Sequence, residues 1–255
     1  MKQKQHRKDK SMNEQIRHAV NVSQRAQRNY DLTKSINEKD LDTFIHVAAN
    51  SPSKQNETHY ELHVFTNQKI IREIYDQTKL FLLMKEDDNF DQLYGEKDGK
   101  FWQSDNRSVH NSQVLANALF VYFEQEGEAR GGTHKQAQSN SNNKESLIKY
   151  HQQIGYSIGV SAGQLVLSAA LLGYKTGFCS AFKKGAVAEI CNTKKMPKLL
   201  VGVGHENAGV DRRYHAETLN KDIPEGFKNG LENEKWRFPS FEKDCKVFLN
   251  DSTYY

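Results

Sequence analysis

Ser161-Ala-Gly-Gln-Leu-Val-Leu-Ser-Ala-Ala-Leu-Leu-Gly-Tyr-Lys-Thr-Gly-Phe-Cys179 is the stretch on which the fold turns. Its first part reads as a helix that is apolar on nearly every side. Gly173 to Phe182 then follows as a tight segment of small residues. A helix without a polar face must be buried, in a core or against another chain. The pattern runs back to Lys144, so one helix is predicted over 144–172. Within it Gly155, Gly159 and Gly163 recur every four residues and leave a stripe on which another helix can approach closely. That spacing is best known from membranes. Here Ser161, Gln164 and Ser168 interrupt the stretch, and no apolar run reaches the roughly 18–20 residues needed to span a bilayer.

On either side of this helix lie strand signals. Ala118 to Phe123 is a continuous apolar run suited to a strand buried on both faces. Pro197-Lys-Leu-Leu-Val-Gly-Val-Gly204 reads as a second strand, and Tyr60 to Thr66 as a third with period-two alternation. Helices are predicted from Met12, with a Ser11/Glu14 capping box, over Leu41 to Ala48, over 68–78, and briefly before Cys191. Strands and helices alternate, so the class is α/β or α+β with one mixed sheet. The polar stretch 86–110 reads as turns, 124–146 as a polar insertion or lid, and 215–255 as a C-terminal extension. The domain proper is then 12–214, behind a disordered basic tail at 1–11.

The 255 residues are 36% hydrophobic, 27% charged and 10% aromatic. That excludes a collagen, a coiled coil and a wholly disordered chain. The net charge of +4 conceals an asymmetry. Residues 1–31 carry eight Lys/Arg against three acids, so this leader is +5 and the rest −1. No aromatics interleave the leader before Tyr30, so a solvated tail is expected rather than a nucleic-acid surface. Cys179, Cys191 and Cys245 are odd in number and widely spaced, which fits a reducing compartment. No apolar secretory core marks the N-terminus. A cytoplasmic location is the expectation.

Several chemistries fail on spacing. Gly202-Val-Gly204-His-Glu-Asn-Ala-Gly209 follows a strand, but its third Gly comes too late for a dinucleotide fingerprint. His205-Glu206 and His215-x-Glu217 lack the spacing of a zinc site. Cys179 has no evident activating His, and no Gly-x-Ser-x-Gly elbow occurs. What remains is a set of anion- and amide-binding residues. Arg25 and Arg28 can share a helical face, and Arg212-Arg213 follow the last strand. Guanidinium groups match phosphate oxygens in a fork. Pro52-Ser53-Lys54-Gln55-Asn56 offers a hydroxyl, an amide and turn N–H groups. Asn111 and Gln113, if extended, put two amides on one face. An amide both donates and accepts, as the edge of a pyrimidine-like ring requires.

In order along the chain these pieces resemble the nitroreductase family of FMN-dependent flavoproteins. Gln24-Arg25-Ala26-Gln27-Arg28-Asn29-Tyr30 is similar to the family's Arg-Arg/His-Ser-x-Arg/Lys-x-Phe. Ser51-Pro52-Ser53-Lys54-Gln55-Asn56 is similar to Ala-Pro-Ser-Ser-x-Asn, and Asn111-Ser112-Gln113 to Asn-x-Gln. Ser161 to Cys179 resembles the long helix and Leu-Gly-Leu/Tyr-x-Thr-Gly that follows it. The closing strand and Arg212-Arg213 complete a likeness over residues 12–213. Gln24 and Ala26 depart from it, replacing an Arg and a Ser, as does Thr58-His59-Tyr60, which replaces Gln-Pro-Trp.

The resemblance implies an α+β fold with a mixed central sheet flanked by helices, in an intertwined homodimer whose long helix lies at the interface. It implies FMN at that interface. Arg25, Arg28, Arg212 and Arg213 would hold its phosphate. Pro52, Ser53, Lys54 and Asn56 of the partner chain would line the flavin. Asn111 and Gln113 would bond its pyrimidine edge, and the backbone at Ser180 and Ala181 would face N5 and the dimethylbenzene side. The implied activity is ping-pong two-electron transfer from NADH or NADPH through flavin N5 to a small electron-poor acceptor: a nitroaromatic, quinone or enone. No side chain is implied as a catalytic acid or base, and no metal. The alternative within the fold is a flavin-binding, flavin-fragmenting or dehalogenating protein without nicotinamide reductase activity.

Overall fold

The structure is a computed structural model that describes residues 11–53, 56–57, 59–78, 81–82, 95–97, 100–102, 108–125, 144–212 and 214–216. Residues 1–10 of the expected tail, most of the insertion, nearly all of the C-terminal extension, Lys54, Cys245 and Arg213 lie outside the described residues. Helices α1 (Met12–Ser23) and α2 (Glu38–Ala49) precede strand β1 (Tyr60–Phe65) and helix α3 (Gln68–Tyr75). Short strand β2 (Phe81–Leu82) follows, and β3 (Gly95–Lys97), β4 (Lys100–Trp102) and β5 (Ser108–Val109) fall within the 86–110 stretch where turns are expected. A 3-10 turn at Ser112–Val114 leads into β6 (Ala118–Glu124). The long helix α4 (Lys144–Leu171), β7 (Lys175–Cys179), α5 (Lys184–Ile190) and β8 (Pro197–Gly204) follow.

Four strands form the central sheet in the order β1-β6-β8-β7. Every ladder in it is antiparallel, with Phe65 opposite Leu119, Ala118 opposite Val203 and Thr176 opposite Val203. The expectation of a mixed sheet is thereby corrected. The long crossover through α4 does join two strands of the same direction, β6 and β7, but β8 inserts between them and pairs antiparallel with both. Among the described residues, parallel pairing is confined to the bridge between Ala26 and Thr176.

The unbroken apolar run of β6 has a direct cause. Phe120 and Tyr122 point into a core shared with α2 and α4, where they meet Phe44, Ile154, Ile158 and Leu165. Leu119, Val121 and Phe123 point into a second core with α3 and α5, beside Ile71, Ile74 and Val187. A strand covered on both faces has no polar side to display. The polar interruptions in α4 are structural. Ser161 Oγ lies 3.0 Å from the Tyr122 hydroxyl and donates to Ala48 O at 2.7 Å. Gln164 Oε1 accepts from Ser51 Oγ at 2.9 Å. By length and composition His151–Leu171 would suffice to cross a bilayer, but half of that window is buried inside the protein. At the N-terminus, Ser11 caps α1 through the expected reciprocal box, with Ser11 N donating to Glu14 Oε2 at 2.8 Å. Ser11 therefore belongs to the helix rather than to the tail.

Candidate functional site

Strand β7 is an edge strand of the central sheet, and its outer side collects most of the expected site residues. At its start, Gln27 N donates to Thr176 O at 2.9 Å, which brings residues 25–28 alongside. In the middle, Phe178 N donates to Gln113 Oε1 at 3.1 Å. Near its end, the Asn111 side chain hydrogen-bonds the Cys179 thiol, and Cys179 Sγ donates to Ala181 O at 3.5 Å. From Lys175 to Ser180 a strand advances about 16 Å. The order along that edge is cations, then amides, then the exposed Ser180 and half-buried Ala181.

The cationic end is a cavity of about 470 Å³ lined by Arg25, Gln27, Lys175, Glu206 and Arg212, with His18 and Asn21 of α1. Arg212 Nη1 donates to Ala26 O at 3.0 Å. Ala26 lacks the hydroxyl of a Ser, yet its carbonyl aims a guanidinium at the cavity. Lys175 Nζ lies 3.1 Å from Glu206 Oε2. Arg28 does not line this cavity; its main-chain N–H donates to Arg212 O at 3.0 Å. Its charge is close enough to Tyr30 to oppose the rise in the phenol pKa that burial imposes. Lys175, Glu206, His18 and Asn21 carry no local sequence signal for this role. Only the fold brings them together.

The two amides do not lie on one extended face. Asn111 is the N-cap of the 3-10 turn, and its Oδ1 accepts from Gln113 N at 3.1 Å. Asn111 is buried, its N–H donating to Thr78 Oγ1 at 2.9 Å. The Asn-x-Gln spacing suits a cap as well as a strand, and the cap wins because the turn seats against β7 and β8. Burial raises the Cys179 thiol pKa, so this cysteine is a packing residue.

Within one chain the 51–57 segment does not join these residues. It connects α2 to the start of β1, and Tyr60 pairs with Glu124 at the far end of β6 from Ala118. Seven residues of strand separate the two ends by about 20 Å. There Ser53 Oγ donates to Glu57 O at 2.6 Å, and Asn56 adopts a left-handed φ of 57°. Pro52 and Asn56 are exposed. Glu57 and His59 are buried together, 3.3 Å apart, and the Tyr60 hydroxyl donates to Ala48 O. His59 and Tyr60 thus anchor the segment rather than present rings to a ligand. His205 and His215 bond to Ser35 O and Ser112 Oγ respectively, and no cluster of metal-ligating side chains occurs among the described residues.

A model of the nitroreductase family matches residues 22–205, from the end of α1 to just beyond β8. No curated protein matches the chain in sequence. Among solved structures, a provisionally assigned NAD(P)H:FMN oxidoreductase from Staphylococcus epidermidis is 14% identical with a TM-score of 0.52, covering 82% of this chain and 95% of that one. The NfrA1 nitroreductase from B. subtilis is 14% identical with a TM-score of 0.50, covering 86% and 79%. A provisionally assigned nitroreductase from Exiguobacterium sibiricum, solved in complex with FMN, is 16% identical with a TM-score of 0.49, covering 80% and 91%. At these identities the likeness is one of fold.

Proposed function

The chain belongs to the nitroreductase family, and on that premise we propose that it is an FMN-dependent oxidoreductase acting as a homodimer. The observation that carries this reading is the order of groups along β7: a cationic cavity at one end, amides in the middle and main-chain groups at the other. The donor set fits a phosphorylated isoalloxazine. Arg25, Arg28 and Arg212, with Lys175, would neutralise the phosphate. Asn111 and Gln113 would meet the mixed C=O and N–H edge of the pyrimidine, and the main chain at Ser180 and Ala181 the remaining side.

Bound there, FMN would supply two-electron transfer from NADH or NADPH to an electron-poor acceptor such as a nitroaromatic, quinone or enone. The protein's part is placement and electrostatics. Cations and amides held by main-chain contacts act as a preorganised field that favours negative charge. Asn111 and Gln113 are fixed by the cap and by Phe178 N, so they lose little freedom on binding. No side chain along β7 needs to act as an acid or base.

Two observations support the dimer. Met12, Ile16 and Val20 of α1 and Tyr156 and Val160 of α4 are exposed, Tyr156 by 62%. Gly155, Gly159 and Gly163 have nothing within 4 Å of a built Cβ, so packing within the chain does not require them to be glycine. A second copy against this face would cover the apolar surface, and could bring Pro52, Ser53 and Asn56 of one chain to β7 of the other.

Anaerobic mixing of FMN-loaded protein with NADH and with NADPH tests the activity. Bleaching of the flavin absorbance by either donor is expected. Flavin that stays oxidised with both overturns the reductase assignment and favours a flavin-binding role alone.

A further inference from the structure

Ser112 lies between the two amides, fully buried, with its Oγ 3.1 Å from His215 Nδ1. The same oxygen accepts the main-chain N–H of Ala216 at 3.3 Å. The segment carrying Arg212 is clipped on its other side to residues 28–29. Ala216 N also donates to Arg28 O at 3.1 Å, and Asn29 Nδ2 donates to Asp211 O at 2.7 Å and to Tyr214 O at 2.8 Å. The Ser112 hydroxyl thus ties this segment to the Asn111–Gln113 turn at two points.

We infer that the His215–Ser112 hydrogen bond holds the Arg212 segment in register with the Asn111–Gln113 turn, which makes His215 a positioning residue of the flavin site. This rests on the FMN reading. Phosphate and pyrimidine edge belong to one ligand, so the groups that meet them must keep a fixed separation, and a shift of an ångström at one end weakens binding at both. His215 is only 9% exposed and Ser112 is not exposed at all. Neither faces a ligand; both act through Arg212, Asn111 and Gln113.

The test compares FMN with riboflavin, which lacks the phosphate. Affinities are measured by quenching of flavin fluorescence for wild type, Ser112→Ala, His215→Ala and His215→Asn, with a thermal melt of each apoprotein. Ser112→Ala and His215→Ala are expected to weaken FMN binding about tenfold and riboflavin binding far less, so that the preference for FMN collapses. In His215→Asn the side-chain amide reaches the position of Nδ1, and most of the preference returns. An unchanged FMN affinity, or equal losses for the two flavins, overturns the positioning role. If His215→Ala does not fold, Ser112→Ala, which removes a single oxygen, decides the question. Wild-type protein that binds neither flavin overturns the FMN reading, and this inference with it.

Discussion

Gly177 and Gly202 stand opposite each other in the β7–β8 ladder, and Gln113 lies across the dent they leave. A Cβ on Gly202 would sit 2.2 Å from Gln113 O, and one on Gly177 2.7 Å from Gln113 Cβ. The paired glycines let the turn that carries Asn111 and Gln113 rest directly on the sheet, where Gln113 Oε1 reaches Phe178 N.

Gly202→Ala is therefore expected to destabilise the protein by about 2–3 kcal/mol, because the clash is with main chain and cannot be relieved by a rotamer change. Gly185→Ala, in α5 with open space around it, is the control and should stabilise by up to about 1 kcal/mol. Urea unfolding of both variants checks the contrast.

A bulky residue on the glycine stripe should separate the subunits without unfolding them. The Cβ of Gly159→Leu meets nothing within 4 Å in its own chain, and Leu improves helix propensity. Sedimentation should show wild type at twice the chain mass and the variant at the chain mass, with loss of bound flavin. A variant that remains dimeric would place the interface elsewhere.

Arg25→Gln should weaken FMN binding about tenfold, as expected for the loss of one charge-assisted hydrogen bond, and leave riboflavin binding unchanged. FMN affinity of the wild type should fall with added salt more steeply than that of the variant. Equal affinities of the two proteins for FMN would remove Arg25 from the phosphate site.

Asp31 predicts an acid limb in the stability profile. Hydrogen bonds from Thr33 and then the Lys34 ammonium, 2.9 Å away, hold its carboxyl down at about 2. A carboxylate whose folded pKa is depressed stabilises the fold above its ordinary value, and that contribution disappears as pH falls through the folded value. Asp31→Asn should lower the melting temperature modestly at pH 7, and the difference should vanish as the pH approaches about 2.

The long elements were legible because burial wrote them into composition. Pro197–Gly204, Ala118 to Phe123 and the 144–172 helix stand out as apolar runs, and Ser11 with Glu14 announces a cap. The strand pairing was not legible, since the insertion of β8 between β6 and β7 leaves no local mark. Of the candidate site, Arg25, Arg212, Asn111 and Gln113 could be found from their chemistry and order. The cap conformation of Asn111 could not, because it depends on two glycines more than sixty residues away. Lys175 with Glu206, and His215 with Ser112, are pairs that only the folded chain brings together. His215 drew notice in the sequence only as a failed metal ligand.

The most direct measurement is the absorbance spectrum of the protein after incubation with FMN and gel filtration. The account predicts a flavin band that co-elutes with a dimer, one flavin for each chain. Colourless protein, with all the flavin in the small-molecule fractions, would contradict it.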